Sequence, residues 1–86
     1  MNHTIRAQRL EALRQFLRAI QKPGRSVDTL APSDPLVASG LIDSLAIMQI
    51  VVYLEETYGI DFAASGLDPE RLATMDGIVD LIGSGD

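Results

Sequence analysis

Hydrophobic positions recur at helical spacing in three stretches of this 86-residue chain. Ile5, Leu10, Leu13, Phe16, Leu17 and Ile20 fall on one side of a helix predicted from about Thr4 to Gln21, which Pro23-Gly24 ends. Stepping about 100° per residue from Ser44 gathers Ile47, Ile50, Val51, Leu54 and Tyr58 on one side of a second helix, predicted from about Ser44 to Tyr58. Gly59 supplies its stop. A last helix is predicted from Met75 to Ile82, with Thr74 as its N-cap and Ile78, Val79, Leu81 and Ile82 as apolar cover. Leu67 to Ala73 predicts a short helix with Pro69 near its start. No period-two alternation competes with these elements, and no internal repeat is present.

The segment from Pro23 to Asp43 carries Pro23, Gly24, Pro32, Pro35 and Gly40 and is longer than compact domains usually use for a connection. Val27, Leu30, Leu36, Val37 and Leu41 can pin it to the core, so an ordered loop is predicted. Within it, Ser33-Asp34-Pro35 can start one helical turn, with Ser33 or Asp34 capping. The fold class that follows is all-α: a small antiparallel four-helix bundle, three main helices and one short one, with a long loop between the first two. One domain is expected over residues 1–86, with 1–3 and 83–86 frayed.

The second helix has a second apolar side. Leu45, Met48 and Val52, edged by Gln49, Glu55 and Glu56, lie opposite the core positions and continue from Ser44. A purely structural helix would carry more charge there. Two readings stand: the long loop covers this strip, or the strip is a docking surface with an apolar centre and an acidic rim that steers encounter. Asp43 precedes the helix, where its carboxylate can cap the first amides and suits the positive pole. Ser44 itself is open to a plain reading as a capping serine.

Charge changes the picture because it is divided. Residues 1–25 hold six basic side chains against Glu11, a balance of +5, whereas residues 26–86 hold Arg71 against eleven acids, a balance of −10. The acidic part contains Ser44. It repels phosphate backbones and favours basic patches on partner proteins, so no nucleic-acid partner is expected through that surface. A nucleic-acid role for the first helix would require Arg6, Arg9, Arg14 and Arg18 to form one exposed stripe.

Several chemistries have no residues to carry them. The chain has no cysteine and one histidine, His3, so disulfides, thiolate nucleophiles and a metal site are not expected. No Gly-x-Ser-x-Gly elbow surrounds a serine, and adjacent Glu55 and Glu56 diverge on a helix rather than forming an acid/base pair. No catalytic residue is assigned, and the protein is not expected to be an enzyme. No apolar run approaches the roughly 20 residues of a spanning helix. A cytoplasmic monomer without membrane contact is expected.

The run Gly40-Leu41-Ile42-Asp43-Ser44-Leu45, with the helix that follows it to Leu54-Glu55-Glu56, resembles the attachment site of the acyl and peptidyl carrier proteins. The likeness extends to Asp34-Pro35-Leu36 in the loop, to Tyr58-Gly59-Ile60 and to the closing helix led by Thr74, and so spans nearly the whole chain. The resemblance implies a 4'-phosphopantetheine arm attached covalently to Ser44, installed by a phosphopantetheinyl transferase that uses coenzyme A and Mg²⁺. It implies acyl or aminoacyl thioesters on the arm's thiol. It further implies a loading enzyme and a downstream transferase or synthase as partners, and a role for Asp43 in orienting the transferase complex. Leu45, Met48, Val52, Glu55 and Glu56, placed on the outer side of the second helix by helical spacing, are the other residues expected to meet partners.

Departures from the family pattern bear on subtype. Carriers of fatty acid synthesis usually place acidic residues two and five positions after the modified serine, where this chain has Ala46 and Gln49. The run Leu67-Asp68-Pro69-Glu70-Arg71-Leu72 is similar to stand-alone carriers of specialised metabolism, of polyketide or non-ribosomal peptide type, and to D-alanyl carriers. Primary fatty acid synthesis is therefore the less favoured assignment. A carrier that has lost its modification and acts as a helical adaptor through Leu45, Met48 and Val52 is the alternative.

Overall fold

The computed structural model describes residues 2–66 and 68–85. Three helical periodicities become three helices: α1 (Asn2–Ile20), α2 (Ala46–Tyr58) and, after the four-residue α3 (Phe62–Ser65), α4 (Met75–Gly85). Two 3₁₀ turns, Val27–Thr29 and Pro69–Leu72, complete the regular structure, and the described residues form no strand. The fold is a small all-α one.

One core joins the three long helices. Leu13 and Leu17 of α1, Ile50 and Leu54 of α2, and Ile78 and Ile82 of α4 are fully buried at its centre, and no polar or charged side chain among the described residues is buried with them. Burying such side chains stabilises by about 1.5–3 kcal/mol each and offsets the entropy of ordering a short chain. Ile5 departs from the predicted apolar face of α1, standing 46% exposed. It lies a full two turns before Leu13, beyond the part of α1 that the core covers.

Most of the positive charge of α1 is used inside the fold. Arg6 pairs with Asp76 and Asp80 of α4, and Arg18 pairs with Glu11 and with Asp28 in the first 3₁₀ turn. Arg14 donates to the Val27 carbonyl at 3.3 Å, and the Arg9 guanidinium lies 5.9 Å from the centre of the Tyr58 ring. The Arg18 hydrogen bond pulls the Asp28 carboxyl below its usual range. These exposed pairs fix orientation more than they add stability.

The long connection is ordered, as its apolar residues predict, but it contains a 3₁₀ turn rather than a helical turn at Ser33-Asp34-Pro35. The reason is local. The Asp34 carboxylate turns back to accept from the Ala31 amide at 2.9 Å instead of capping forward. The segment is then tied to the start of α4 by Leu36 N–H to Ala73 O at 2.8 Å and Asp76 N–H to Pro32 O at 3.0 Å, with Pro35 bridged to Thr74. Val27, Leu36 and Leu41 are buried and Leu30 half-buried, whereas Val37 stays exposed.

Several boundaries differ from expectation. The predicted short helix from Leu67 to Ala73 is a 3₁₀ turn, Pro69–Leu72, opened by the Asp68 carboxylate accepting from Glu70 N–H at 3.0 Å; Leu67 lies outside the described residues. Bonds three residues apart, Arg71 N–H to Asp68 O at 3.1 Å and Ala73 N–H to Glu70 O at 3.3 Å, close this turn before Thr74 starts the next helix. The extra element α3 is nucleated by Asp61, whose carboxylate accepts from Ala63 and Ala64 N–H and seats Phe62 in the core. Helix α4 runs on through Gly85, past its predicted end at Ile82, and α1 begins at Asn2, before its predicted start at Thr4; Met1 and Asp86 lie outside the described residues.

Thr74 caps α4 as expected, its hydroxyl accepting from Gly77 N–H at 3.0 Å. Gly77 also marks a close approach: a Cβ there would stand 2.5 Å from the Arg71 carbonyl oxygen. Glycine to alanine inside a helix ordinarily stabilises by about 1 kcal/mol. At this position the sign reverses, since backbone must move to admit the methyl group, a distortion costing about 1–3 kcal/mol. Gly77→Ala is therefore expected to lower the urea midpoint, and a midpoint at or above that of the parent protein would show that the Arg71 turn yields freely.

Candidate phosphopantetheine attachment site

The site is built by alternating burial. Leu41 and Ile42 are buried, Asp43, Ser44 and Leu45 are exposed, and Ala46 is buried again. Three exposed residues are thus held between two anchors in the core. The turn before them is closed by Gly40 N–H to Val37 O at 3.0 Å and Ile42 N–H to Leu36 O at 3.3 Å, with Gly40 at φ 86°, a left-handed conformation that suits glycine. Lys22 N–H donates to Leu41 O at 2.8 Å and ties this turn to the end of α1.

Regular α2 starts at Ala46, two residues later than predicted, because Asp43 to Leu45 form a tight leading turn. Ala46 N–H reaches both the Asp43 carbonyl, at 3.1 Å, and the Asp43 carboxylate, at 3.0 Å. Met48 N–H donates to Leu45 O at 3.1 Å, and Leu45 has right-handed helical torsions. Asp43 is therefore the capping residue. The Ser44 hydroxyl takes part in no hydrogen bond among the described residues. A serine kept only for capping would show its oxygen on an amide of the first turn, and this one does not.

Beyond Ser44 the apolar strip is open. Leu45 is 79%, Met48 55% and Val52 47% exposed, and Gln49, Glu55 and Glu56 are exposed beside them. The long connection does not cover it. On the opposite side Ile50, Val51 and Leu54 are buried and Ile47 and Tyr58 half-buried, as the helical spacing predicts.

A groove of about 460 Å³ follows the strip, with Met48, Val52, Tyr53 and Glu56 on the α2 side and Phe16 of α1 on the other. Phe16 and Tyr53 stack in its wall, ring centres 4.3 Å apart and planes 12° from parallel, and Tyr58 meets Tyr53 edge-on at 6.1 Å. Burial, with a smaller contribution from Tyr58, pushes the Tyr53 hydroxyl up from 10.0 to about 12, so it stays neutral through the physiological range. Helical spacing identified Met48, Val52 and Glu56. It did not identify the groove, because nothing in the spacing of α1 and α2 alone places Phe16 against Tyr53.

The described residues contain no group of histidine, cysteine or acidic side chains arranged to hold a metal ion. No described helix is long and apolar enough to cross a membrane.

An exposed, unbonded serine on a rigid turn, with an aspartate immediately before it and a helix after it, fits covalent attachment of a long prosthetic group. The family model described as phosphopantetheine attachment site matches residues 12–82. The chain belongs to this family. Members of the phosphopantetheine attachment family are carrier domains that receive 4'-phosphopantetheine covalently, generally lack catalytic activity of their own, and interact with phosphopantetheinyl transferases and acyl-handling enzymes. No curated protein and no solved structure matches the chain. The family match covers the buried Leu13 and Leu17 of α1, the long connection, the Asp43 to Leu45 turn, α2 and most of α4.

Proposed function

We propose that Ser44 is the attachment residue and that the protein holds an acyl or aminoacyl group as a thioester on the resulting arm, presenting it to enzymes of a biosynthetic pathway. The observation that carries this reading is the division of roles at the turn: Asp43 caps α2, which leaves the Ser44 oxygen exposed and without a structural task. Attachment forms a bond from that oxygen to the coenzyme A phosphorus and breaks the pyrophosphate bond. The nucleotide leaves with the bridging oxygen, and the serine proton passes to a base of the transferase. Mg²⁺ neutralises the charge that develops on the departing phosphate. The arm, once present, supplies the thiol that this cysteine-free chain lacks.

The residues proposed to meet partners are Asp43, Leu45, Met48, Val52, Glu55 and Glu56. Their exposure supports this, as does the combination of apolar centre and acidic edge. Three long helices packed as an antiparallel bundle would hold that surface rigid. The pathway proposed is specialised metabolism rather than primary fatty acid synthesis. Gln49 leaves the face less acidic than a fatty-acid-synthesis carrier's, and Ala46, which is buried, puts no charge at the other position where such carriers have an acid. A cytoplasmic monomer agrees with the acidic surface and modest core.

Incubation with coenzyme A, Mg²⁺ and a broad-specificity phosphopantetheinyl transferase is expected to raise the intact mass by one phosphopantetheine. A folded protein that no transferase modifies would overturn the proposal in favour of an unmodified adaptor. Met48→Glu is expected to leave the fold intact, since Met48 is more than half exposed, while slowing transfer with the cognate loading enzyme severalfold. Unchanged transfer kinetics would move the interface away from α2.

A further inference from the structure

The groove between α1 and α2 lies on the path of anything tethered to Ser44. At about 1.5 Å per residue, Met48 stands roughly 6 Å and Glu56 roughly 18 Å along the helix from Ser44. A 4'-phosphopantetheine arm places about fourteen bonds between the serine oxygen and its sulfur, roughly 17 Å when extended at about 1.2 Å per bond. The arm's full reach equals the groove's length, so a partly folded arm can set its sulfur anywhere along the groove and lay the cargo over Met48, Val52 and Tyr53. The lining is mostly apolar: Phe16 stacked on Tyr53, with Met48 and Val52 beside them. Glu56 is the one acidic or basic side chain among the groove's lining residues.

We propose that this surface groove, rather than the interior of the bundle, is the resting place of the arm's cargo, and that it takes an uncharged apolar acyl group. The inference rests on attachment at Ser44. Charge selects the cargo: an anionic acyl group would be placed beside Glu56 with no cation in the groove wall to compensate. The tether removes the need for tight binding. It holds the cargo at an effective concentration on the order of millimolar, so a groove with only millimolar intrinsic affinity is about half filled. Filling it covers Met48 and Val52, which the docking surface also uses, so a partner that engages α2 displaces the cargo toward its own active site.

The test uses the full chain carrying an octanoyl group on the arm through a non-hydrolysable amide, isotope-labelled in the protein. Intact mass and peptide mapping first establish one arm on Ser44; an arm mapped elsewhere overturns the attachment reading itself. With attachment established, nuclear Overhauser contacts from octanoyl methylenes to the rings of Phe16 and Tyr53 and to the Met48 methyl are expected. They should be lost with a suberyl group, which has the same eight carbons but ends in a carboxylate, and should persist on tenfold dilution. Contacts to Leu54 and Ile78 instead would place the chain inside the bundle and overturn the proposal, as would a cargo with no protein contacts. Contacts that vanish on dilution would assign the groove to a second copy and overturn it equally. Phe16→Leu is expected to reduce the ring-proton shifts at Tyr53 severalfold, while Tyr53→Phe, which keeps the stacked ring, retains the contacts.

Discussion

Ser44→Ala is expected to abolish the phosphopantetheine mass increment completely while leaving the unfolding midpoint where it was. The first half follows from chemistry: no other oxygen on the turn can replace the serine alkoxide, since Asp43 offers a carboxylate already bonded to Ala46 N–H. The second half follows from the absence of any structural task. The Ser44 side chain is exposed and makes no hydrogen bond among the described residues, so its loss should change stability by no more than about 0.5 kcal/mol. Asp43→Ala is the informative contrast, because losing an N-cap costs about 1 kcal/mol and loosens the turn that presents Ser44. Intact mass and denaturant melts on both variants separate chemistry from scaffold. An increment that survives in Ser44→Ala would place the arm on another residue, and a lowered midpoint in that variant would give Ser44 the structural role that Asp43 is seen to fill.

The turn around Ser44 was legible because its signals are local. Asp43 as cap and the helical sides of α2 follow from residues within a few positions of one another, whereas the exposure of Leu45, Met48 and Val52 depended on where the long loop runs and stayed open until the structure showed it. The elements misjudged are those decided by competition between neighbouring caps. Asp61 and Asp68 each claim nearby amides, which divides the stretch before Thr74 into α3 and a 3₁₀ turn. At Ser33-Asp34-Pro35 the same ambiguity resolves backwards, with Asp34 bonding Ala31. A carboxylate before a small or proline residue announces a turn; which amides it takes depends on where the core pulls the chain next.

Long-range features were out of reach for a different reason. The pairing of Arg6 with α4, the Pro35 bridge to Thr74 and the stack of Phe16 on Tyr53 join residues far apart in the chain. The divided charge pattern left a basic stripe on the first helix open, yet Arg6 and Arg18 are answered by acids from other elements. Opposite charge in two segments of one chain is as much a signal that they pack together as that either faces a partner.

Leu54→Ala is expected to produce the largest loss of stability of any single change considered. Leu54 is fully buried at the centre of α2, and truncating such a leucine costs about 2–5 kcal/mol through lost transfer energy and the cavity left behind. A domain of this length has about 4–13 kcal/mol in total at 0.05–0.15 kcal/mol per residue, so the variant approaches the limit of folding. Its melting temperature should fall by more than about 10 °C, given about 4–8 °C per kcal/mol for small domains. Leu45→Ala removes the same atoms from a position 79% exposed and should leave the melt within a degree or two. Its effect belongs to function, as slower modification or transfer. Two leucines on one short segment thus have opposite tasks, and calorimetry beside a mass-based modification assay reads them apart. A Leu45→Ala variant that melted as early as Leu54→Ala would mean that the attachment turn packs against the core after all, and the exposed strip would cease to be a surface.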